Sequence, residues 1–185
     1  MTVDRARARA TEAGFELSCD DEVGALMAAL AAGVPRGGRI LELGTGVGVG
    51  LAWMVAGLQG RTDVEVHSVE IDAPTAAIAA AETWPSTITL HVADAMEVLP
   101  RLGSFDLIFA DAQGGKIEGL DLTISALAPG GHLLVDDMAP KAGNALHESL
   151  WPRIQRVRER LLTDPRLRSA ELTFASGVIL ATKLR

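Results

Sequence analysis

The stretch from Arg39 to Met54, RILELGTGVGVGLAWM, limits what this chain can fold into more than any other. An apolar run of Ile40, Leu41 and Leu43 carries one acid, Glu42, inside it. Glycines then alternate at Gly44, Gly46, Gly48 and Gly50, and apolar residues return at helical spacing through Leu51, Met54 and Val55. A buried strand, a glycine turn and a helix fit this order, and no other simple reading does. Glycine serves where backbone must approach a ligand closely or take a positive φ. The helix that follows aims its free N–H groups back at the turn, so a polar or anionic ligand can sit there.

The rest of the chain builds a sheet around that turn. Val64–Val69 alternates and is rich in valine, predicting a second strand that runs into Glu70, Ile71 and Asp72. Pro74 suits the first turn of a helix continuing over Ala76–Trp84. Further strands are expected at Thr87–Val92, Phe105–Ala110 and His132–Val135. Between them fall a short helix at Met96–Leu99, a Gly114-Gly115 loop, and a helix over Ile117–Leu127 that Pro129-Gly130-Gly131 stops. Strands and helices alternating at this spacing mean a parallel sheet with right-handed crossovers. The end differs. After a helix over His147–Leu162, Glu171–Ala175 and Val178–Lys183 flank Ser176-Gly177, predicting a hairpin on a two-residue turn. Upstream, residues 2–13 read as a polar helix, and residues 22–33 place Val23, Leu26, Met27 and Leu30 on one helical face. The expected fold class is α/β: a Rossmann-like, seven-stranded, mostly parallel sheet with helices on both faces and an antiparallel C-terminal hairpin. One domain is expected over 1–185, with a helical cap at 1–35 and the core at 36–185.

Composition narrows the function classes. The chain is 48% hydrophobic and 22% charged, as a folded soluble domain is. Its formal net charge of -7 gives no general attraction for nucleic acid or an anionic membrane. Arg153, Arg156, Arg158, Arg160, Arg166 and Arg168 cluster, as one solvated helix face would. The lone Cys19 forms no internal disulfide and no thiolate metal cluster, which suits a reducing cytoplasm. The first residues lack an apolar signal core, and the longest apolar run, Ala25 to Val34, is too short to span a membrane. A cytoplasmic location is therefore expected.

In open α/β sheets, ligands bind at the carboxyl ends of the strands. Glu70, Asp94, Asp111 and Asp136-Asp137 follow four of the five expected parallel strands, and the glycines follow the first. A carboxylate at Glu70 accepts two hydrogen bonds and suits a ribose diol. The dinucleotide fingerprint G-x-G-x-x-G fails, because the sixth position is Val49 from Gly44 and Leu51 from Gly46. The spacing is instead G-x-G-x-G led by Glu42. With an acid ending the second strand and an antiparallel final strand, this resembles the class I S-adenosylmethionine-dependent methyltransferases. ELGTGVG is similar to their first motif, SVEID to their second and ADAMEVL to the adenine-side segment. FDLIFADA, APGGHLLVDDM and the terminal hairpin resemble the small O-methyltransferases related to catechol and caffeoyl-coenzyme A methyltransferases.

The resemblance implies roles by position. Glu42, Gly44, Thr45, Gly46 and Gly48 belong with the methionine and ribose part of S-adenosylmethionine, and Glu70 with the ribose hydroxyls. Ile71 would lie against the adenine, with Asp94 and Ala95 at its edge and Asp111 across the site. In the metal-dependent relatives, an Asp at the Asp111 position and an Asp-Asn pair at Asp136-Asp137 bind a divalent cation such as magnesium. Here Asp137 stands where the Asn would be. Carboxylate oxygens suit such a hard cation, which stabilises an acceptor oxyanion. Asp136 and Asp137 converge only if the strand has already ended, because adjacent strand residues point to opposite faces. The caffeoyl-coenzyme A type carries a lysine at the position of Gly114, so Lys116, two residues on, is the candidate base or orienting cation beside Asp111. His147 is the runner-up base, and Cys19 reads as a small packed side chain.

The expected activity is methyl transfer to a small-molecule hydroxyl. N- or S-methyl transfer and a non-catalytic cofactor-binding subunit remain open alternatives, because the cofactor turn says nothing of the acceptor atom. Asp111 is followed by Ala-Gln-Gly and not by the Pro-Pro-aromatic segment used on base amines, which with the acidic charge counts against nucleic acid. An oxidoreductase is disfavoured by Val49 and Leu51. Family analogy allows a homodimer.

Overall fold

The computed structural model describes residues 2–185 and assembles its strands into one seven-stranded sheet. The elements are α1 (Val3–Glu12), α2 (Asp21–Gly33), β1 (Arg39–Leu43), α3 (Val49–Leu58), β2 (Glu65–Glu70), α4 (Ala73–Ala80), β3 (Ile88–Val92) and α5 (Ala95–Leu102). They continue with β4 (Phe105–Ala110), α6 (Gln113–Lys116), α7 (Leu120–Ser125), β5 (Leu127–Val135), α8 (Ala145–Thr163), β6 (Leu167–Leu172) and β7 (Val178–Lys183). The strand order is β3-β2-β1-β4-β5-β7-β6. β1 to β5 pair in parallel, and β7 inserts antiparallel between β5 and β6. The order reverses at β1 and β4, and open α/β sheets form their ligand crevice at such a switch point.

Period-two alternation sorts the strand side chains into two layers. Leu41 and Leu43 of β1, Ile108 of β4 and Leu133 and Val135 of β5 pack with Leu99, Ile124, Ile154 and Val157 from α5, α7 and α8. Ile40, Leu107, Phe109 and Leu134 face the other way, against Ala6, Val23, Met27, Leu51 and Met54 from α1, α2 and α3. The N-terminal helices thus pack on α3. Gly57 of α3 makes the close α2 contact, since a Cβ there would lie 2.1 Å from the Ala28 carbonyl oxygen. No described helix is long and apolar enough to cross a membrane.

The helix expected to reach Trp84 stops at Ala80, and three further segments depart from their sequence spacing. The helix expected over Ile117–Leu127 shortens to α7, because β5 begins at Leu127, where it pairs with Phe105. The register then shifts so that His132 faces Leu107, and Pro129-Gly130-Gly131 form the bulge. Pro129 has no N–H to give a ladder, and Gly130 takes φ +83°. The Gly114-Gly115 loop falls inside the single turn α6, with non-helical dihedrals at both glycines. In the hairpin, β6 spans Leu167–Leu172 and not Glu171–Ala175, so residues 173–177 make the connection. Leu167 is buried and its N–H bonds the Asp164 carbonyl at 3.0 Å, which anchors β6 early. Four arginines of the basic cluster are charge-paired: Arg153 with Glu118, Arg158 with Glu171, Arg160 with Asp164 and Arg166 with Asp121.

Candidate functional site

A cavity of about 660 Å³ opens at the carboxyl ends of the parallel strands. One half is walled by Gly44, Gly46, Glu70, Ile71, Asp94 and Ala95, and the other by Asp111, Lys116, Asp136, Asp137 and His147. Phe15 to Asp20, the segment between α1 and α2, lines it from the N-terminal side.

The glycine turn is built by backbone bonds to β2. The N–H groups of Gly44 and Thr45 both donate to the Val69 carbonyl, at 2.9 and 3.1 Å. Gly44 and Gly46 hold φ of +102° and +53°, a region that costs an ordinary residue steric energy. At Gly46 an added Cβ would also meet the Phe15 ring at 2.9 Å. The Glu70 carboxylate accepts from the Gly46 N–H at 2.9 Å and the Asp72 N–H at 3.0 Å, so it bridges the turn to the end of β2. Asp94 accepts the Met96 N–H at 2.8 Å and caps α5, with Ala95 the first helical residue. Ile71 is 69% exposed although apolar, a side chain at the cavity mouth with open surface to cover. Thr45 and Gly48 do not line the cavity: Thr45 is buried with its hydroxyl against Ser68, and Gly48 starts α3 in the left-handed region.

Glu42 also lies outside the main cavity. It is fully buried beneath the turn, where its Oε2 accepts the Ser68 hydroxyl and its Oε1 has no partner among the described residues. A void of about 20 Å³ runs beside it, shared with Cys19, Thr45 and Asp111. Burial pushes its carboxyl up to about 8, with the Ser68 hydrogen bond opposing and the charges of Asp111 and Glu70 adding. α1 secures the turn from outside. Arg9 donates its Nε–H to the Val47 carbonyl at 2.8 Å, pairs with Glu82 at 3.1 Å and lies over the Trp84 ring.

On the far side, β5 ends at Val135, so Asp136 and Asp137 are off the strand. Asp137 takes φ +60°, a strained choice for a non-glycine residue. That bend turns both carboxylates inward, and one oxygen from each of Asp111, Asp136 and Asp137 lies within 4.8 Å of the others. Asp136 Oδ1 accepts the Asp137 N–H at 2.7 Å and the Ser176 hydroxyl. The N–H groups of Met138 and Ala139 bond the Gly177 and Ser176 carbonyls, each at 2.9 Å, pinning this turn to the hairpin connection. The buried Lys116 Nζ lies 3.4 Å from Asp111 Oδ1 and 3.3 Å from the Asp136 carbonyl. Lys141 pairs with Asp137 Oδ1. Burial raises the Asp111 carboxyl above its ordinary range, while Lys116 pulls it down and the neighbouring acids push it up. Burial raises Asp136 as well, against the Ser176 hydrogen bond. His147 is buried, with Nε2 3.4 Å from the Asp137 carbonyl and Nδ1 without a partner among the described residues.

Sequence spacing misses Arg9, Lys141 and Ser176. Arg9 is one of several arginines in a polar helix, and Ser176 reads only as a turn residue. Lys141 carries a weak signal, a lysine four residues past an acid on a segment that is not helical. An all-oxygen set of three converging carboxylates fits a hard divalent cation.

A family model described as a methyltransferase domain matches residues 41–138. A Mycobacterium tuberculosis protein provisionally named an O-methyltransferase is 31% identical over 189 residues, spanning 96% of this chain and 83% of the relative. A counterpart of the same provisional name from Mycobacterium sp. (strain JLS) is 30% identical over 196 residues, spanning 98% of this chain and 86% of its own. The O-methyltransferase TomG of Streptomyces achromogenes, solved with S-adenosylmethionine, matches at TM-score 0.79 and 22% identity over 99% of this chain and 89% of TomG. An O-methyltransferase from Bacillus cereus, solved with S-adenosylhomocysteine, matches at TM-score 0.78 and 20% identity over 98% and 90%. At these identities the structural likeness concerns the fold.

Proposed function

This chain belongs to the methyltransferase-domain family of S-adenosylmethionine-dependent enzymes, and we propose that it methylates a hydroxyl of a small-molecule acceptor with help from a divalent cation at Asp111, Asp136 and Asp137. The observation that carries this reading is one continuous cavity, which joins the glycine turn and Glu70 to the three converging carboxylates. Glu70 would receive the ribose hydroxyls, and Gly44 and Gly46 would let the methionine end approach the backbone. Ile71, Asp94 and Ala95 would frame the adenine. Thr45 and Gly48 act indirectly, by holding the shape of the turn, and Glu42 supports it from below.

The bound sulfonium supplies the methyl group by direct displacement, so the protein's task is alignment, which can lower a barrier by up to ~7–11 kcal/mol. The positive charge gathered around Asp111 would make the acceptor hydroxyl easier to deprotonate, its proton leaving to water. The Lys116 ammonium, 3.4 Å from Asp111 Oδ1, would stabilise the oxygen anion left behind. A divalent cation held by Asp111, Asp136 and Asp137 would supply further positive charge to that oxygen. Leu146, Leu150 and Ile154 line the same cavity. They offer an apolar wall, so the acceptor is expected to pair a hydroxyl with an apolar body.

The test is methyl transfer from S-adenosylmethionine to a panel of catechols, phenols and aliphatic alcohols, before and after chelation. Hydroxyl methylation that falls several-fold on chelation and returns with magnesium is expected. Full turnover by metal-free protein would remove the cation, and methylation of amines or thiols alone would remove the hydroxyl. Unchanged turnover in Lys116→Ala would remove that lysine from the chemistry.

A further inference from the structure

Two lysines reach the acidic cluster, and they are held differently. The Lys116 side chain is 7% exposed and belongs to the cavity wall. The Lys141 side chain is 38% exposed and comes from the segment between β5 and α8. Each carboxylate of the cluster already has one oxygen engaged. Asp111 Oδ1 faces Lys116, Asp136 Oδ1 accepts from Ser176 and the Asp137 N–H, and Asp137 Oδ1 faces Lys141. Of the three acids, Asp137 is the one whose partner can retreat to solvent without unfolding a buried contact.

We propose that Lys141 is a built-in competitor of the divalent cation, its ammonium occupying the Asp137 corner of the carboxylate cluster so that a metal ion must displace it to bind. This rests on the reading of Asp111, Asp136 and Asp137 as a cation site. A dication among these carboxylates would lie within a few ångströms of the ammonium, where like charges repel even at high dielectric. Swinging Lys141 outward relieves that repulsion and frees Asp137 Oδ1 as a ligand. The Asp137 carboxylate is what gives Lys141 an ionic partner. Cation occupancy then depends on the concentration of metal, and the metal-free site keeps a positive charge beside the acceptor.

The experiment is manganese binding to the full chain with S-adenosylhomocysteine present, followed by water-proton relaxation and calorimetry. Lys141→Met and Lys141→Gln are each expected to bind manganese on the order of tenfold more tightly than the parent. In an Asp137→Asn background, which removes the ionic partner of Lys141, the same lysine substitutions should change affinity less than about threefold. Unchanged S-adenosylhomocysteine affinity shows that the variants are folded. Equal manganese affinity in the parent and both Lys141 variants overturns the competition and leaves the cation site standing. Manganese bound by none of the proteins overturns both.

Discussion

Replacing Glu42 by Gln isolates the cost of keeping an acid beneath the glycine turn. The Glu42 carboxyl is fully buried and rises to about 8 from an ordinary 4.5. The raised value means that the folded state holds a proton which the unfolded state releases. Stability from this group is therefore fully present at pH below 4.5 and declines as pH climbs from there to about 8, above which the loss is complete. At about 1.4 kcal/mol per pH unit, that interval bounds the loss at ~5 kcal/mol. Relaxation of the surroundings returns part of it, leaving an expected loss of ~2 kcal/mol. Gln is close in shape to the protonated acid and cannot ionise. Urea unfolding of parent and Glu42→Gln should give near-equal stabilities at about pH 4, with the variant ahead by ~2 kcal/mol at about pH 8.5. A difference that stays constant within ~0.5 kcal/mol across this range would refute the buried, proton-holding assignment.

Two other substitutions bear on the same turn. Glu70→Ala removes the bridge to the Gly46 N–H and the expected ribose partner. It should weaken S-adenosylhomocysteine binding by roughly a hundredfold in calorimetry, and affinity within about threefold of the parent would exclude Glu70 from the cofactor site. Gly57→Ala places a Cβ 2.1 Å from the Ala28 carbonyl oxygen, which is backbone and cannot swing aside. The α2–α3 contact should open at a cost of ~2–4 kcal/mol, read as a lower urea midpoint, and an unchanged midpoint would show that the helices part freely.

How much of the site was legible depended on whether its parts are neighbours in sequence. The turn at Gly44–Gly48, the acid at Glu70 and the cap at Asp94 are local features, because strand, turn and helix signals lie within a few residues of one another. Asp111 and Asp136-Asp137 were legible as strand ends, but their convergence was not. It required the left-handed backbone at Asp137, which periodicity does not encode, in addition to the end of β5 at Val135 that the strand pattern gives. The hairpin was legible in type and not in length, since the Arg166 pair with Asp121 and the Leu184 N–H bond to the Arg166 carbonyl, which help to start β6, come from distant segments.

The sequence by itself determined the order of strands and helices and the glycine turn, because hydrophobic period and glycine placement act over short range, while the class of chemistry came from the resemblance of its motifs to a family. Tertiary structure alone decided which polar groups share a space. It buried Glu42 behind the turn, drew Arg9 from α1 onto Val47, and brought Lys116, Lys141 and Ser176 to the acids. Those contacts join residues far apart in the chain or set side-chain directions, and they exist only once the sheet closes and the helices pack upon it.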